Sequence, residues 1–283
     1  MKARICSFFV LWTVVIVMLA VGGTHGAILL MILASLWTQY ELCLLCRKAG
    51  YEPYRCHCLG YGFLMLMMAW KPPDFMNSIE ASVAVFICAM LDTTFYSFLQ
   101  KEPKKIMEGL VTTICNLVYV PMMFMFPIAM LREWSLRGNG KMAMVCIVWI
   151  VAVAKFSDVG GLCIGSLCGG KKLAPLLSPA KTRKGFIGAL VFGSLLAGLG
   201  GRILFPSFFP ENFSAARALL LATLLTLIAV FSDLLESMIK RLAQVKDSGN
   251  LIPGIGGIFD LTDSLILTLP VGVFYFHYGA HFF

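Results

Sequence analysis

Apolar runs of near membrane-spanning length recur along the whole chain, and shorter polar segments separate them. A helix that crosses a bilayer needs about 20 mainly apolar residues, and by this criterion the pattern predicts about nine transmembrane helices. The predicted spans are 5–22, 27–46, 55–70, 79–99, 107–131, 142–157, 186–206, 215–239 and 262–281. The sequence therefore predicts an all-α, polytopic integral membrane protein.

Two longer polar segments, 158–185 and 232–263, interrupt this pattern in the second half of the chain. On this basis we divide the chain into N-terminal transmembrane helices, 1–141, and a C-terminal transmembrane catalytic region, 142–283. The first part holds only isolated acids, of which Asp92 lies in the middle of a predicted span. An ionisable group inside a membrane span is costly, so Asp92 fits a functional role. A hydrogen bond between helices would satisfy it equally well.

Composition supports a membrane protein and changes the interpretation of the charge. The chain is 59% hydrophobic and 13% charged, and its mean hydropathy is +0.85. A net charge of +8 would suit a nucleic-acid partner in a soluble protein. In a membrane protein, basic loops retained in the cytosol explain the charge, so no nucleic-acid partner is expected.

The distribution of basic residues predicts the orientation of the chain. Threading the spans from a cytosolic N-terminus places most Lys and Arg residues inside, and both polar segments then line a cytosol-facing polar cavity. The predicted membrane is the inner membrane of a bacterial cell. The first span follows Lys2 and Arg4 but has no clear small-x-small cleavage site, so we expect it to be retained.

Ten cysteines raise the question of a metal site. The stretch CLLCRKAGYEPYRCHC places Cys43, Cys46, Cys56 and Cys58 near His57, and these residues could supply zinc ligands. However, Cys43 and Cys46 end an apolar helix, and CxC is less usual than CxxC as a ligand pair. Reduced, unliganded thiols are the favoured interpretation, with structural zinc as the alternative.

The first polar segment reads DVGGLCIGSLCGGKKLAPLLSPAKTRKG. Its six glycines would let backbone approach a ligand closely, and its lysines and arginine would supply positive charge beside it. This combination suits phosphate, although a flexible, positive-inside loop has the same composition. Ser178, Lys181 and Thr182 precede an apolar span, which predicts a helix entry where hydroxyl groups cap exposed amides.

The second polar segment reads SDLLESMIKRLAQVKDSGNLIPGIGGIFDLTD. If 215–245 forms one helix, one of its faces carries Asp233, Ser237, Lys240 and Arg241. After Lys246 and Asp247, the run PGIGG predicts a tight turn that includes Gly256 and Gly257. Asp260 and Asp263 then lie in the first turn of the last span, where acids also serve as simple charged caps.

Together these pieces predict a site for a divalent cation. Carboxylates that converge from two helices provide hard oxygen ligands, and nearby Lys and Arg side chains can hold the phosphates that such a cation bridges. The predicted chemistry is phosphoryl or nucleotidyl transfer at the cytosolic face, with a lipid as one substrate. The residues alone choose neither the nucleotide nor between a kinase and a nucleotidyltransferase.

The same residues resemble the signature of the phosphatidate cytidylyltransferases, also called CDP-diacylglycerol synthases. That signature runs S, two residues, KR, four residues, KD, then PGHGG and DRxD, and SMIKRLAQVKDSGNLIPGIGGIFDLTD is similar to it. LAPLLSPAKTRKG is similar to the family's SPKKTxEG segment, and Asp158 fits the acid that precedes it. YELCLLCRKAGYEP is similar to the weaker YExxxLxxxxG pattern.

The resemblance implies that phosphatidate, a membrane lipid, and CTP react to give CDP-diacylglycerol and pyrophosphate. It implies Mg²⁺ or Mn²⁺ as cofactor, with Asp233 and Asp260 as metal ligands and Asp263 close by. Lys240 and Arg241 complete the implied catalytic set. The implied substrate-binding residues are Ser178, Lys181, Thr182, Ser237, Lys246, Asp247, Gly256 and Gly257. The sequence leaves open whether the chain forms a homodimer.

The chain departs from the family pattern in both segments. Ile255 stands at the position of the family His, and Leu261 at that of the family Arg. Arg183 and Lys184 replace an aromatic residue and an acid, and we hypothesise that these two cations partly replace the missing Arg.

The departures also suit a related CTP-dependent lipid enzyme or an inactive structural relative. A membrane transporter is a further alternative, although no inverted-repeat pair of broken helices is visible. A CDP-alcohol phosphatidyltransferase would need DGxxAR, which is missing.

Overall fold

The computed structural model of the protein describes residues 2–99, 102–175, 178–252, 254 and 256–277. The helices are α1 Lys2–Lys48, α2 Arg55–Trp70, α3 Ser78–Phe98, α4 Pro103–Tyr119, α5 Pro121–Leu136, α6 Gly140–Cys168, α7 Arg183–Leu190, α8 Gly200–Leu204, α9 Ala215–Leu242 and α10 Phe259–His277. A π-helical segment, Val191–Leu199, joins α7 to α8, and Pro206–Phe208 form a 3₁₀ turn. A single antiparallel hairpin pairs β1 Lys172–Ala174 with β2 Ser178–Thr182. The all-α prediction is confirmed.

In the described part of the chain, seven helical stretches are long and apolar enough to cross a membrane. The protein is therefore an integral membrane protein, but the predicted count of about nine spans is not confirmed. The first two predicted spans run together as α1, which bends at Gly23, where φ is 55° and ψ is −134°. The third coincides with α2, which has 16 residues and falls short of the length that a bilayer requires.

Prolines and glycines account for two further differences. The predicted span 107–131 is divided into α4 and α5, because Pro121 lacks the N–H that a continuous helix would need. The predicted span 142–157 continues as α6 to Cys168, through three glycines of the first polar segment.

Those glycines bring α6 and α7 into close backbone contact. A Cβ atom on Gly188 would lie 2.5 Å from the carbonyl oxygen of Gly160, and one on Gly185 would lie 2.7 Å from that of Gly161. Helices that span membranes commonly use small residues in this way. The prediction that all six glycines form a ligand-approaching loop is therefore wrong: Gly160, Gly161 and Gly165 lie in α6 and Gly185 in α7, which leaves Gly169 and Gly170 in the loop.

The chain forms two compact units, and each has its own apolar core. The first unit comprises 1–133 and 239–262, and the second comprises 134–238 and 263–283. Leu45, Leu66, Leu117 and Ile128 are fully buried in the first unit. In the second unit the ring of Trp149 meets the edges of three phenylalanines at centroid distances of 5.4 to 6.1 Å. The functional division at residue 141 stays a prediction.

Candidate active site

Three carboxylates of the second unit form an acidic cluster. Asp158 on α6, Asp233 on α9 and Asp263 on α10 each offer one oxygen atom, and these three atoms lie within 4.8 Å of one another. Among the described residues this is the only group of three or more His, Cys, Asp or Glu side chains with such geometry. Carboxylate oxygens are hard ligands, which Mg²⁺ and Mn²⁺ prefer.

Two lysines partly neutralise the acidic cluster. The Lys155 ammonium lies 3.2 Å from Asp158 Oδ2 and 3.5 Å from Asp263 Oδ1, and it donates to the Ser264 hydroxyl at 2.8 Å. Lys181 Nζ donates to Asp233 Oδ2 at 2.9 Å. The formal charges of three carboxylates and two ammonium groups sum to −1, which favours a further cation.

A cavity in the second unit opens onto this cluster. Its lining includes Asp158, Asp233 and Ser157, together with Lys181 and Thr182 from the hairpin. Asp233 Oδ1 and Ser157 Oγ are buried and have no hydrogen-bond partner in the described part of the chain. Buried polar atoms are normally paired, so these two atoms mark a place for a ligand. The hard donor set and the unpaired Asp233 oxygen together fit a divalent cation.

The β1–β2 hairpin places Lys181 at this cavity. The backbone N–H of Gly185 donates to Thr182 Oγ1 at 3.0 Å, so Thr182 caps α7, as predicted. The capping prediction is wrong for Ser178, which lies in β2 opposite Ala174. Because Lys181 immediately precedes the cap, the start of α7 fixes its backbone.

The second polar segment surrounds Asp260 in the first unit. Asp260 Oδ1 accepts from Lys240 Nζ at 3.0 Å, and Oδ2 accepts from the backbone N–H groups of Ser248 at 3.0 Å and Gly257 at 2.8 Å. Gly256 adopts φ +126°, and a Cβ atom there would lie 2.3 Å from Asp260 Oδ2. The predicted tight turn is confirmed by the bridge between Ile252 and Gly256.

The predicted metal ligands, Asp233 and Asp260, thus have different partners. Asp233 belongs to the acidic cluster with Asp158 and Asp263, whereas both Asp260 oxygens accept hydrogen bonds from the donors described above. Metal binding by Asp260 stays a prediction. The other predicted residues of this segment differ in their exposure to solvent. Ser237 on α9 is half-buried, whereas Arg241, Lys246 and Asp247 are exposed.

Comparison with known proteins agrees with this chemistry. The sequence profile of the cytidylyltransferase family matches residues 2–279. The chain belongs to this family.

Several members that carry the name phosphatidate cytidylyltransferase are similar to it. The protein of Staphylococcus haemolyticus is 27% identical over 271 residues, which cover 96% of this chain and 97% of the relative. The protein of Staphylococcus saprophyticus is 30% identical over 210 residues, or 74% of either chain. The protein of Rickettsia bellii is 42% identical over 133 residues, which cover 46% of this chain and only 54% of the relative.

In this member of the cytidylyltransferase family, three polar residues that contact the acidic cluster or Asp260 were not predicted from the sequence: Lys155, Ser248 and Ser264. Glu41 lies in the stretch that resembles the weaker family pattern, but no role in the site was predicted for it. Lys155 carried a usable signal, because it is an ionisable residue inside a predicted span. Asp158 had been matched to the family pattern but was not assigned to the site. Nothing in the local sequence marks the two serines.

The remaining candidates have local roles or lie elsewhere. The Asp92 carboxylate on α3 lies 3.2 Å from His57 Nε2 on α2. This contact between helices agrees with the second of the two interpretations given for Asp92. Arg183 and Lys184 are exposed, and Lys184 Nζ donates to the Cys168 carbonyl at 3.4 Å. Their compensating role stays a prediction. Ile255 lies outside the described residues.

Proposed function

We propose that the protein is a CTP:phosphatidate cytidylyltransferase that makes CDP-diacylglycerol and pyrophosphate. The observation that carries this proposal is the acidic cluster beside a cavity whose lining includes Lys181, in a membrane protein of the cytidylyltransferase family. A membrane-embedded site suits a lipid substrate, and a cation site suits a nucleoside triphosphate. The names of the relatives favour phosphatidate as the lipid.

The reaction needs no side-chain nucleophile. A phosphate oxygen of phosphatidate attacks the α-phosphorus of CTP, and the bond from that phosphorus to the bridging oxygen of the β-phosphate breaks. Pyrophosphate leaves with the electron pair. The chain has to hold the two phosphates in line and balance the charge that develops on the attacking and leaving oxygens.

Asp158, Asp233 and Asp263 would hold Mg²⁺ or Mn²⁺, which supplies charge neutralisation at the reacting phosphates. Lys155 keeps two of these carboxylates together through its ion pairs. Lys181 lies at the cavity, where its ammonium can exchange Asp233 for a phosphate oxygen. We retain as proposed contributors to phosphate binding Ser178, Thr182, Ser237, Lys240, Arg241, Lys246, Asp247, Gly256 and Gly257.

The function is tested by incubating purified protein with phosphatidate, Mg²⁺ and each of the four labelled nucleoside triphosphates. We expect CDP-diacylglycerol and an equal amount of pyrophosphate from CTP only. A parallel reaction with diacylglycerol and γ-labelled CTP tests a related CTP-dependent lipid kinase. Transfer of the γ-phosphate, or no lipid product with either Mg²⁺ or Mn²⁺, would contradict the proposal.

We propose further that the protein resides in a bacterial inner membrane and that the stretches 158–185 and 240–261 face the cytosol. In a variant without the ten native cysteines, exposed Lys172 or Lys246 is replaced by Cys. An impermeant maleimide should label either site in permeabilised spheroplasts and neither in intact ones. Arg137→Cys is the opposite control, because Arg137 is exposed and predicted to lie outside. Labelling of the Lys172→Cys variant in intact spheroplasts would overturn this orientation.

A further inference from the structure

Glu41 is a buried acid on α1, and its carboxylate accepts hydrogen bonds from four neutral donors. Glu41 is only 3% exposed to solvent. Oε1 accepts from Trp37 Nε1 at 3.1 Å and from the backbone N–H of Ile258 at 3.1 Å. Oε2 accepts from Ser248 Oγ at 2.9 Å and from the backbone N–H of Phe259 at 2.8 Å. A buried carboxylate needs such a set of donors, because burial without partners is costly.

Two of these donors are the amides of Ile258, which immediately precedes α10, and of Phe259, where α10 begins. The first N–H groups of a helix have no partner within the helix, and the positive end of the helix dipole favours an anion there. Glu41 therefore caps α10 from a position more than 200 residues earlier in the chain. The cap fixes where α10 starts, and Asp260 is its second residue.

Ser248 links Glu41 to Asp260. Its hydroxyl donates to Glu41, while its backbone N–H donates to Asp260 Oδ2 at 3.0 Å. Gly257 N–H also donates to Asp260, next to the two amides that Glu41 holds. These hydrogen bonds hold the two described ends of the loop 248–258, Ser248 at its beginning and Gly257 and Ile258 at its end.

Two glycines of this loop lie close to the Glu41 carboxylate. A Cβ atom on Gly257 would lie 2.2 Å from Glu41 Oε2, and one on Gly249 would lie 2.6 Å from Oε1. No side chain fits at either position while Glu41 keeps its place. The close approach of the backbone to this carboxylate therefore requires glycine at both loop positions.

We infer that Glu41 is a positioning residue, which holds the loop 248–258 and the start of α10 so that Asp260, Gly256 and Gly257 keep a fixed arrangement for nucleotide phosphate. This inference rests on the proposed function. Glu41 itself has no contact with substrate in this role. Its effect is exerted through the loop, so CTP use should depend on it and phosphatidate use should not.

The test uses the full-length enzyme with Glu41→Gln. The amide nitrogen of Gln cannot accept hydrogen bonds, so at least one pair of donors loses its partner. We expect kcat/KM for CTP to fall about 100-fold with a raised KM for CTP and an unchanged KM for phosphatidate. Amide hydrogen exchange should be faster at Ile258 or at Phe259, because these two N–H groups donate to different carboxylate oxygens and Gln keeps only one of the two acceptors. Glu52→Gln, at an exposed acid of the same unit, is the matched control and should match the parent.

Ser248→Ala removes one donor from Glu41 but keeps the backbone bond to Asp260. It should shift CTP use in the same direction by about 10-fold, and its effect should not add to that of Glu41→Gln. If both variants lose folded protein while the remaining enzyme keeps the parental KM for CTP, Glu41 is only a stabilising residue and the inference fails. Faster exchange with parental kinetics overturns it as well.

Failure of the proposed function gives a different result. In that case the parent protein makes no CDP-diacylglycerol, and the inferred role in CTP use falls with it. The exchange experiment still decides whether Glu41 holds the loop.

Discussion

Asp233→Asn should lower kcat/KM for CTP at least about 1,000-fold, which corresponds to about 4 kcal/mol of transition-state stabilisation. The substitution keeps the size of the side chain but removes one of the three carboxylates of the acidic cluster. It also replaces either the unpaired buried oxygen or the oxygen that accepts from Lys181 with an amide nitrogen. Steady-state kinetics with labelled CTP at saturating Mg²⁺ measure the loss.

Cation binding provides an independent readout of the same change. The parent should bind Mn²⁺ in the absence of substrates, measured by electron paramagnetic resonance, and Asp233→Asn should weaken this binding at least about 10-fold. Asp74→Asn is the matched control, because Asp74 is an exposed acid outside the cluster. Near-normal turnover together with normal Mn²⁺ binding in Asp233→Asn would refute the cation site.

Lys155→Met should destabilise the protein by about 2 to 3 kcal/mol when divalent cations are removed. Two ionised carboxylates no more than 4.8 Å apart repel by at least about 3 kcal/mol at an effective dielectric constant of about 20. Lys155 offsets this repulsion for Asp158 and Asp263, and loss of one partner of a buried ion pair is costly. Because the Lys155 side chain is 29% exposed, the expected cost lies below that of a fully buried pair.

Mg²⁺ should reverse much of this destabilisation. A thermal unfolding series in EDTA and in increasing Mg²⁺ should show a larger rise in Tm for Lys155→Met than for the parent, since the variant cluster carries one more negative charge. Lys141→Met, at an exposed lysine in the first turn of the same helix, should follow the parent in both conditions. Equal Tm values for Lys155→Met and the parent in EDTA would show that Lys155 contributes no charge balance.

Hydropathy was sufficient for the fold class but not for the number of helices or for their ends. The apolar runs of α3, α9 and α10 are long and have charged or glycine-rich borders, so their positions followed from composition. The end of α6 could not be predicted, because glycine usually weakens a helix. Here close packing against α7 stabilises the glycine-containing turns, and that packing is a tertiary contact.

The candidate site was predicted by residue type better than by grouping. Acids were predicted to converge from α9 and α10, and Asp233 and Asp263 lie together. Asp260, which was predicted to share the site with Asp233, has other partners. The grouping of the acids depends on how the helices are rotated about their axes and on which acids accept hydrogen bonds from loop N–H groups. Helical periodicity determines neither of these. Glu41 was hidden for the same reason: the donors that it holds come from backbone more than 200 residues away.

The contact between α6 and α7 also affects the order in which the site assembles during synthesis. Only residues 169–182 separate these helices, and contacts between neighbouring segments form early. We therefore expect α6 and α7 to dock before α9 and α10 leave the ribosome, with Lys155, Lys181 and Asp158 in place as a net positive group. Arrival of Asp233 makes this group neutral, and only Asp263 makes it negative. Affinity for a cation is then the last property that the nascent protein acquires.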